Sequence, residues 1–156
     1  MNDVNIREWT ENDVGAAALI ERACFAEPWT MDVIRQSLTV PHFYGFVLEA
    51  DGEIVGYACG SSLFEDAELM RIAVLPKCRG LGYGRLLLDG FIEGSSVRGA
   101  ERMFLEVRAS NTAALGLYTS SGFEKNRLRK RYYPDGEDGI EMLNHFSVEG
   151  KLKTSK

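Results

Sequence analysis

Three groups of residues have the types and spacing to do chemistry. The first is the glycine-rich stretch Arg79-Gly80-Leu81-Gly82-Tyr83-Gly84-Arg85. It follows an apolar, partly β-branched run (Leu69, Met70, Ile72, Ala73, Val74) and Pro76, and it leads into Leu86, Leu87, Leu88, Phe91 and Ile92 at helical spacing. Strand, glycine turn and helix in that order build an anion site. Glycine lets the backbone take positive φ and come close to a ligand, and the N–H groups of the helix's first turn point at it. The helix dipole adds to this, so phosphate or pyrophosphate is the expected guest. The second group is Glu106, set among Met103, Phe104, Leu105 and Val107 and, by alternation, on the face of Phe104. A carboxyl shielded in this way has a raised pKa and can serve as a general base; its other reading is a cross-strand ion pair with an arginine. The third is Tyr118, one turn beyond Ala114 on a helix that begins near Asn111. It is either a core aromatic or a phenol able to protonate a leaving group.

The common nucleotide loops do not fit. A Walker loop needs Gly-Lys and then Ser or Thr, but Arg85 and Leu86 follow Gly84. A dinucleotide fingerprint that starts at Gly80 and Gly82 meets Arg85 where it needs glycine or alanine. The spacing that fits is Arg79-x-x-Gly82-x-Gly84 directly after an apolar strand. It resembles the pyrophosphate loop of the GCN5-related N-acetyltransferase superfamily, in which the loop holds coenzyme A.

The elements that position these groups follow from periodicity. Residues 4–9 alternate as a short strand, and Thr10 is placed to cap a helix with Val14, Ala17, Ala18, Ile20 and Cys24 on one side. Pro28 breaks that helix, and Thr30 can cap a second one through Leu38. Phe25 and Trp29 between them are either core aromatics or the wall of a substrate groove. Residues 43–49 and 54–61 read as strands joined at Asp51-Gly52, a hairpin signal. A strand over 68–74, the glycine loop and a helix to about Val97 come next, with Gly94 weakening that helix and Gly99 just past its end. Residues 102–107 form a strand, 112 onward a helix stopped by Gly122, and 123–133 and 139–146 two last strands around Pro134-Asp135-Gly136. The order β, α, α, β, β, β, α, β, α, β, β predicts an α/β (α+β) fold: a mixed, mostly antiparallel central sheet flanked by helices. One domain over 1–147 and a disordered polar tail over 148–156 are expected.

Composition narrows the function. The 156 residues carry a net charge of −5, 45% are apolar and 26% charged, as in an ordinary soluble domain. No run approaches a membrane span and no leader is visible, so a cytoplasmic protein is expected, with no membrane partner. Cys24, Cys59 and Cys78 are widely spaced and odd in number, which argues for reduced thiols rather than disulfides or a zinc site. No metal and no DNA partner are expected, since the acidic surface repels nucleic acid. The basic run Arg127, Arg129, Lys130 and Arg131 is the local exception, read either as an RNA patch or as a solvated strand whose charges face out. Cys78 has no histidine near it in sequence, which disfavours a covalent acyl-enzyme.

Further along, the resemblance sharpens. Leu105-Glu106-Val107-Arg108-Ala109-Ser110-Asn111, Leu117-Tyr118, Gly122-Phe123, Arg131-Tyr132-Tyr133-Pro134 and Gly136-Glu137-Asp138, with Pro28-Trp29, are similar to the bacterial ribosomal-protein-alanine N-acetyltransferases. The likeness runs from Asn5 to Met142. It implies an enzyme that transfers an acetyl group from acetyl-CoA to a protein's amino-terminal α-amine, the alanine of ribosomal protein S18; a monomer or weak dimer is expected. By position it implies Glu106 as proton acceptor and Tyr118 as proton donor. Ile72, Ala73 and Val74 would hold the pantetheine arm, Arg79, Gly80, Leu81, Gly82, Tyr83, Gly84 and Arg85 the pyrophosphate, and Asn111 would also touch the cofactor. Trp29, Arg131, Tyr132 and Asp138 would line the acceptor groove. The chain departs from the pattern at Leu75, where aspartate is usual, at Cys78, where an aromatic is usual, and in a shorter turn after Pro134. Acetylation of a lysine or small amine, and non-catalytic acyl-CoA binding, are the competing readings.

Overall fold

The computed structural model describes residues 3–146, so the expected tail over 148–156 lies outside the described residues. The element order is β1 (Val4–Glu8), α1 (Val14–Cys24), α2 (Met31–Ser37), β2 (Phe43–Ala50), β3 (Glu53–Leu63), β4 (Asp66–Val74), α3 (Tyr83–Val97), β5 (Arg102–Arg108), α4 (Thr112–Ser120), β6 (Glu124–Arg129) and β7 (Gly139–His145). Short 3-10 turns at Glu11–Asp13 and Pro76–Cys78 precede α1 and the glycine loop. The strands form one seven-stranded sheet in the order β1-β2-β3-β4-β5-β7-β6. β1–β2, β2–β3, β5–β7 and β6–β7 are antiparallel and β4–β5 is parallel, giving the mixed, mostly antiparallel sheet that the element order predicts.

The chain divides into two compact units, Met1–Ser61 with Leu69–Gly94, and Ser62–Glu68 with Ser95–Lys156. In the first, β2 and β3 meet at Ala50↔Glu53, so Asp51 and Gly52 alone make the turn, both at positive φ as a tight primed hairpin requires. Thr10 does begin the first helical segment. Its hydroxyl accepts from the Asn12 N–H while Asp13 caps back onto the Thr10 N–H at 2.7 Å, a reciprocal capping box. α1 then buries Val14, Ala17, Ala18 and Ile20 against Trp9, Ile34, Val47, Tyr57 and Cys59. Thr30 Oγ1 accepts from the Val33 N–H to start α2.

In the second unit β5 alternates strictly. Met103, Leu105 and Val107 are buried on one face, and Phe104, Glu106 and Arg108 are half-buried on the other. Asn111 caps α4, its Oδ1 accepting from the Ala114 N–H at 3.1 Å. Gly122, at φ +100°, ends it. One expectation needs correcting here: β6 stops at Arg129 rather than running to Tyr133. Arg131 sits at φ +53°, and its N–H is taken by Asp138 Oδ1 at 3.0 Å, so residues 130–138 leave the ladder as a loop.

Candidate active site

The glycine loop takes the geometry its composition calls for. Gly80 and Gly82 have φ of +82° and +83°, a conformation that costs L-residues, and nothing lies within 4 Å of where a Cβ would stand on either. A backbone this open at the start of a 15-residue helix fits a pyrophosphate. Tyr83, the first residue of α3, is buried. Arg79 does not reach outward. Its Nε donates to the Val74 carbonyl at 3.1 Å, which also accepts from the Cys24 thiol at 3.4 Å. The side chain therefore braces the end of β4, where Ala73 and Val74 are buried and Ile72 is half-buried. Arg85 pairs with Asp89 one turn on at 3.8 Å.

Trp29 belongs to the same unit. Its N–H donates to Glu21 Oε1 at 2.8 Å, and the Arg71 guanidinium lies 4.7 Å from its ring and 4.2 Å from that of Phe25. Glu21 is fully buried and also accepts from the Tyr57 hydroxyl. Burial, the neighbouring Cys59 and the acceptor Glu21 push the Tyr57 phenol far up. Trp29 packs on the core and is half-exposed.

In the second unit Glu106 is both shielded and paired. Arg129 Nε donates to its Oε1 at 2.6 Å, while Oε2 is buried and has no hydrogen-bond partner among the described residues. Burial pushes the carboxyl above its ordinary range, the Arg129 charge only partly offsetting it. Directly opposite on β7 stands Glu141, whose Oε2 takes the other side of the same guanidinium at 3.1 Å. Burial would raise Glu141 too, but Asn126 Nδ2 at 2.7 Å, Arg129 and Arg127 outweigh it and hold that carboxyl low. Two carboxylates in register are thus driven apart in acidity. Tyr118 is buried on α4 against Phe123, ring centroids 5.8 Å apart, and desolvation pushes its phenol up to about 12.

The loop over 130–138 is tied down at several points. Asp138 accepts from the Arg131 N–H, and Glu137 accepts from the Ser110 N–H and from Arg108, both at 2.9 Å. Arg108 lies 4.1 Å from the Tyr133 ring, and Tyr132 meets Tyr133 edge-on at 5.0 Å and is half-exposed. Asp138 therefore holds the loop's backbone. β6 is exposed along most of its length, and Arg127, itself exposed, and Arg129, half-buried, both lie within ion-pair distance of Glu141, at 3.6 Å and 3.1 Å. Sequence reasoning missed Glu141 and Arg108. The signal for Glu141 was available, since Ile140, Met142 and Leu143 flank it as apolar residues flank Glu106. Among the described residues no cluster of three or more His, Cys, Asp or Glu side chains could hold a metal ion. No helix among them is long and apolar enough to cross a membrane.

A mixed sheet with flanking helices and a β4–glycine loop–α3 crossover defines the acyl-CoA N-acyltransferase class. The chain belongs to the acetyltransferase (GNAT) family, whose model matches residues 14–123. It is 37% identical over 151 residues to the [ribosomal protein bS18]-alanine N-acetyltransferase of Escherichia coli (strain K12), covering 95% of this chain and 100% of that one. The crystal structure of the ribosomal-protein-S18-alanine N-acetyltransferase from Escherichia coli superposes with a TM-score of 0.86 at 36% identity, covering 95% and 96% of the two chains. Ard1 from Thermoplasma volcanium follows at a TM-score of 0.83 and 25% identity, covering 92% and 97%. The protein is an acyltransferase of this family.

Proposed function

We propose that the protein acetylates the amino-terminal α-amine of a protein, the alanine of ribosomal protein S18, by direct transfer from acetyl-CoA in a ternary complex in the cytoplasm. One domain over 1–147 carries the activity. The observation that supports this most is the buried, partnerless Oε2 of Glu106, a proton acceptor at the position the resemblance marks for one. The names of relatives that match over nearly their whole length support the acceptor.

Acetyl-CoA supplies the acyl group as an activated thioester. An amino-terminal amine has a pKa of about 8, so roughly a tenth is neutral at pH 7, whereas a lysine near 10.4 is almost wholly charged. A carboxylate of modestly raised pKa is enough base for such an amine, directly or through one water. Glu106 takes the proton as the C–N bond forms. Backbone N–H groups near Val74 polarise the thioester carbonyl and hold its oxyanion. Tyr118, still protonated at neutral pH, gives its proton to the departing thiolate as the C–S bond breaks.

Ile72, Ala73 and Val74 hold the pantetheine arm through their backbone, and the loop from Gly80 to Arg85 cradles the pyrophosphate through backbone N–H groups. Arg79 acts by bracing that loop, and the Asn111 amide nitrogen stays available to the cofactor while its oxygen caps α4. For the acceptor, the resemblance implies Trp29 in the first unit and Arg131, Tyr132 and Asp138 in the second. The test is thiol release from acetyl-CoA with a peptide carrying the S18 amino terminus, by wild type and Glu106→Gln, between about pH 6 and pH 9. The expected result is turnover by wild type and a large loss in the variant, greatest at low pH. Turnover with a lysine peptide but none with the amino-terminal one would replace the acceptor.

A further inference from the structure

Arg129 sits between two carboxylates that stand opposite each other in the β5–β7 ladder. Its Nε is 2.6 Å from Glu106 Oε1 and its Nη2 is 3.1 Å from Glu141 Oε2. Like charges facing each other across strands repel, and a guanidinium with its donors in a fixed fork is suited to hold both in place. The division is unequal. Glu141 has further partners in Asn126 and Arg127, whereas among the described residues the one side chain hydrogen-bonded to Glu106 is Arg129, leaving Oε2 buried and bare.

We infer that Arg129 is a positioning residue for acetyl transfer, gripping Oε1 of Glu106 so that Oε2 is the one oxygen left to take the proton, with Glu141 competing for the same guanidinium. This rests on the reading of Glu106 as the base. Without Arg129 the carboxylate is free to turn, and burial together with the Glu141 charge favours its protonated, inactive form. Without the Glu141 charge, Arg129 serves Glu106 alone and the carboxylate persists to lower pH. Among the described residues the charged and titratable groups facing Glu106 are Arg129 and Arg127 of β6, Glu141 of β7 and Tyr133 of the following loop. Tyr133 keeps its proton across the working range, its phenol being raised by burial and by Glu106, so the pH response belongs to the two carboxylates.

The measurement is kcat against pH for the full chain at saturating acetyl-CoA and peptide, with wild type, Arg129→Gln, Arg129→Lys, Glu141→Gln and Glu106→Gln. For Arg129→Gln the acidic limb moves up, with a loss of about tenfold at pH 6 that narrows toward pH 9. Arg129→Lys, which keeps the charge, recovers part of this. For Glu141→Gln the limb moves down, so the gain over wild type shows on the acidic side of the wild-type limb and vanishes above it. Opposite movements are the signature, because a merely structural ion pair lowers kcat in both variants at every pH. Equal losses at all pH values, or movement in one direction for both, would overturn the inference. Should Arg129→Gln fail to fold, the direction of the Glu141→Gln limb decides alone. If Glu106→Gln keeps wild-type turnover, the base assignment falls and this inference with it. If Glu106→Gln is inactive while the other limbs stay still, only this inference falls.

Discussion

Arg71 places Nη2 3.2 Å from Oε1 of Glu21, a carboxylate with no exposed surface. The same carboxylate accepts from the Tyr57 hydroxyl and from the Trp29 N–H, so one buried charge fixes β3, β4 and the segment between α1 and α2. Removing one member of a buried pair strands the other. Glu21→Ala is therefore expected to destabilise the protein by about 3–5 kcal/mol, and Glu21→Gln, whose one carbonyl oxygen still accepts from the Trp29 N–H while its NH2 can donate to the Tyr57 oxygen, by less. Urea midpoints with an unchanged m-value check this. If Glu21→Ala unfolds at the wild-type midpoint, the pair does not anchor the segment.

A second anchor gives the stability its acid dependence. The paired hydrogen bonds from Arg7 hold Asp13 below the usual carboxyl range, burial opposes them, and the Thr10 N–H adds to them. A carboxyl whose folded pKa is depressed contributes stability at pH above its unfolded value, about 3.9, and loses it as pH falls through the lower folded value. Asp13→Asn should thus cost about 1–2 kcal/mol at pH 7 and close on wild type in strong acid. Thermal melts of both proteins from neutral pH downward test it; parallel curves at all pH values refute it.

Gly82 tests the loop. No atom stands near its missing Cβ, so the cost of Gly82→Ala is the backbone at φ +83°, about 1–2 kcal/mol, and not a clash. The loop relaxes away from the anion-binding form. The expected result is a several-fold higher KM for acetyl-CoA with kcat little changed, and a smaller rise for Gly82→Asn, which tolerates positive φ better. An unchanged KM in both variants would take the loop out of cofactor binding.

The parts of the fold legible in the sequence are those set by local chemistry. Asp51-Gly52, Thr10, Thr30, Asn111 and Gly122 act through a few bonds to near neighbours, and the hairpin and the helix starts stand where those residues put them. What was not legible depends on partners far along the chain. Gly94 looks like a flaw in α3 until Phe46 is seen: a Cβ there would stand 2.3 Å from its ring. Nothing local marks the end of β6 before Tyr133, while the Asp138 carboxylate that takes the Arg131 N–H lies seven residues on. Glu106 was readable as a shielded carboxylate, with an arginine as its other reading; that Arg129 also serves Glu141 needs the β5–β7 register.

Tyr118 supplies the sharpest contrast with Glu106. Desolvation pushes its phenol up to about 12, so the hydroxyl keeps its proton over the whole range in which the amine and the carboxylate titrate. Its ring packs edge-on against Phe123, and Tyr118→Phe preserves that contact while removing only the hydroxyl. Stability is then expected to stay within about 0.5 kcal/mol of wild type. Loss of a positioned general acid typically costs on the order of a hundredfold in kcat. Because nothing at Tyr118 titrates below about pH 10, the loss should be the same at every pH from about 6 to 9. For Glu106→Gln the loss should instead grow as pH falls. A pH-dependent loss in Tyr118→Phe would show that the hydroxyl acts on the base and not on the leaving thiolate, and an unchanged kcat would return Tyr118 to the core.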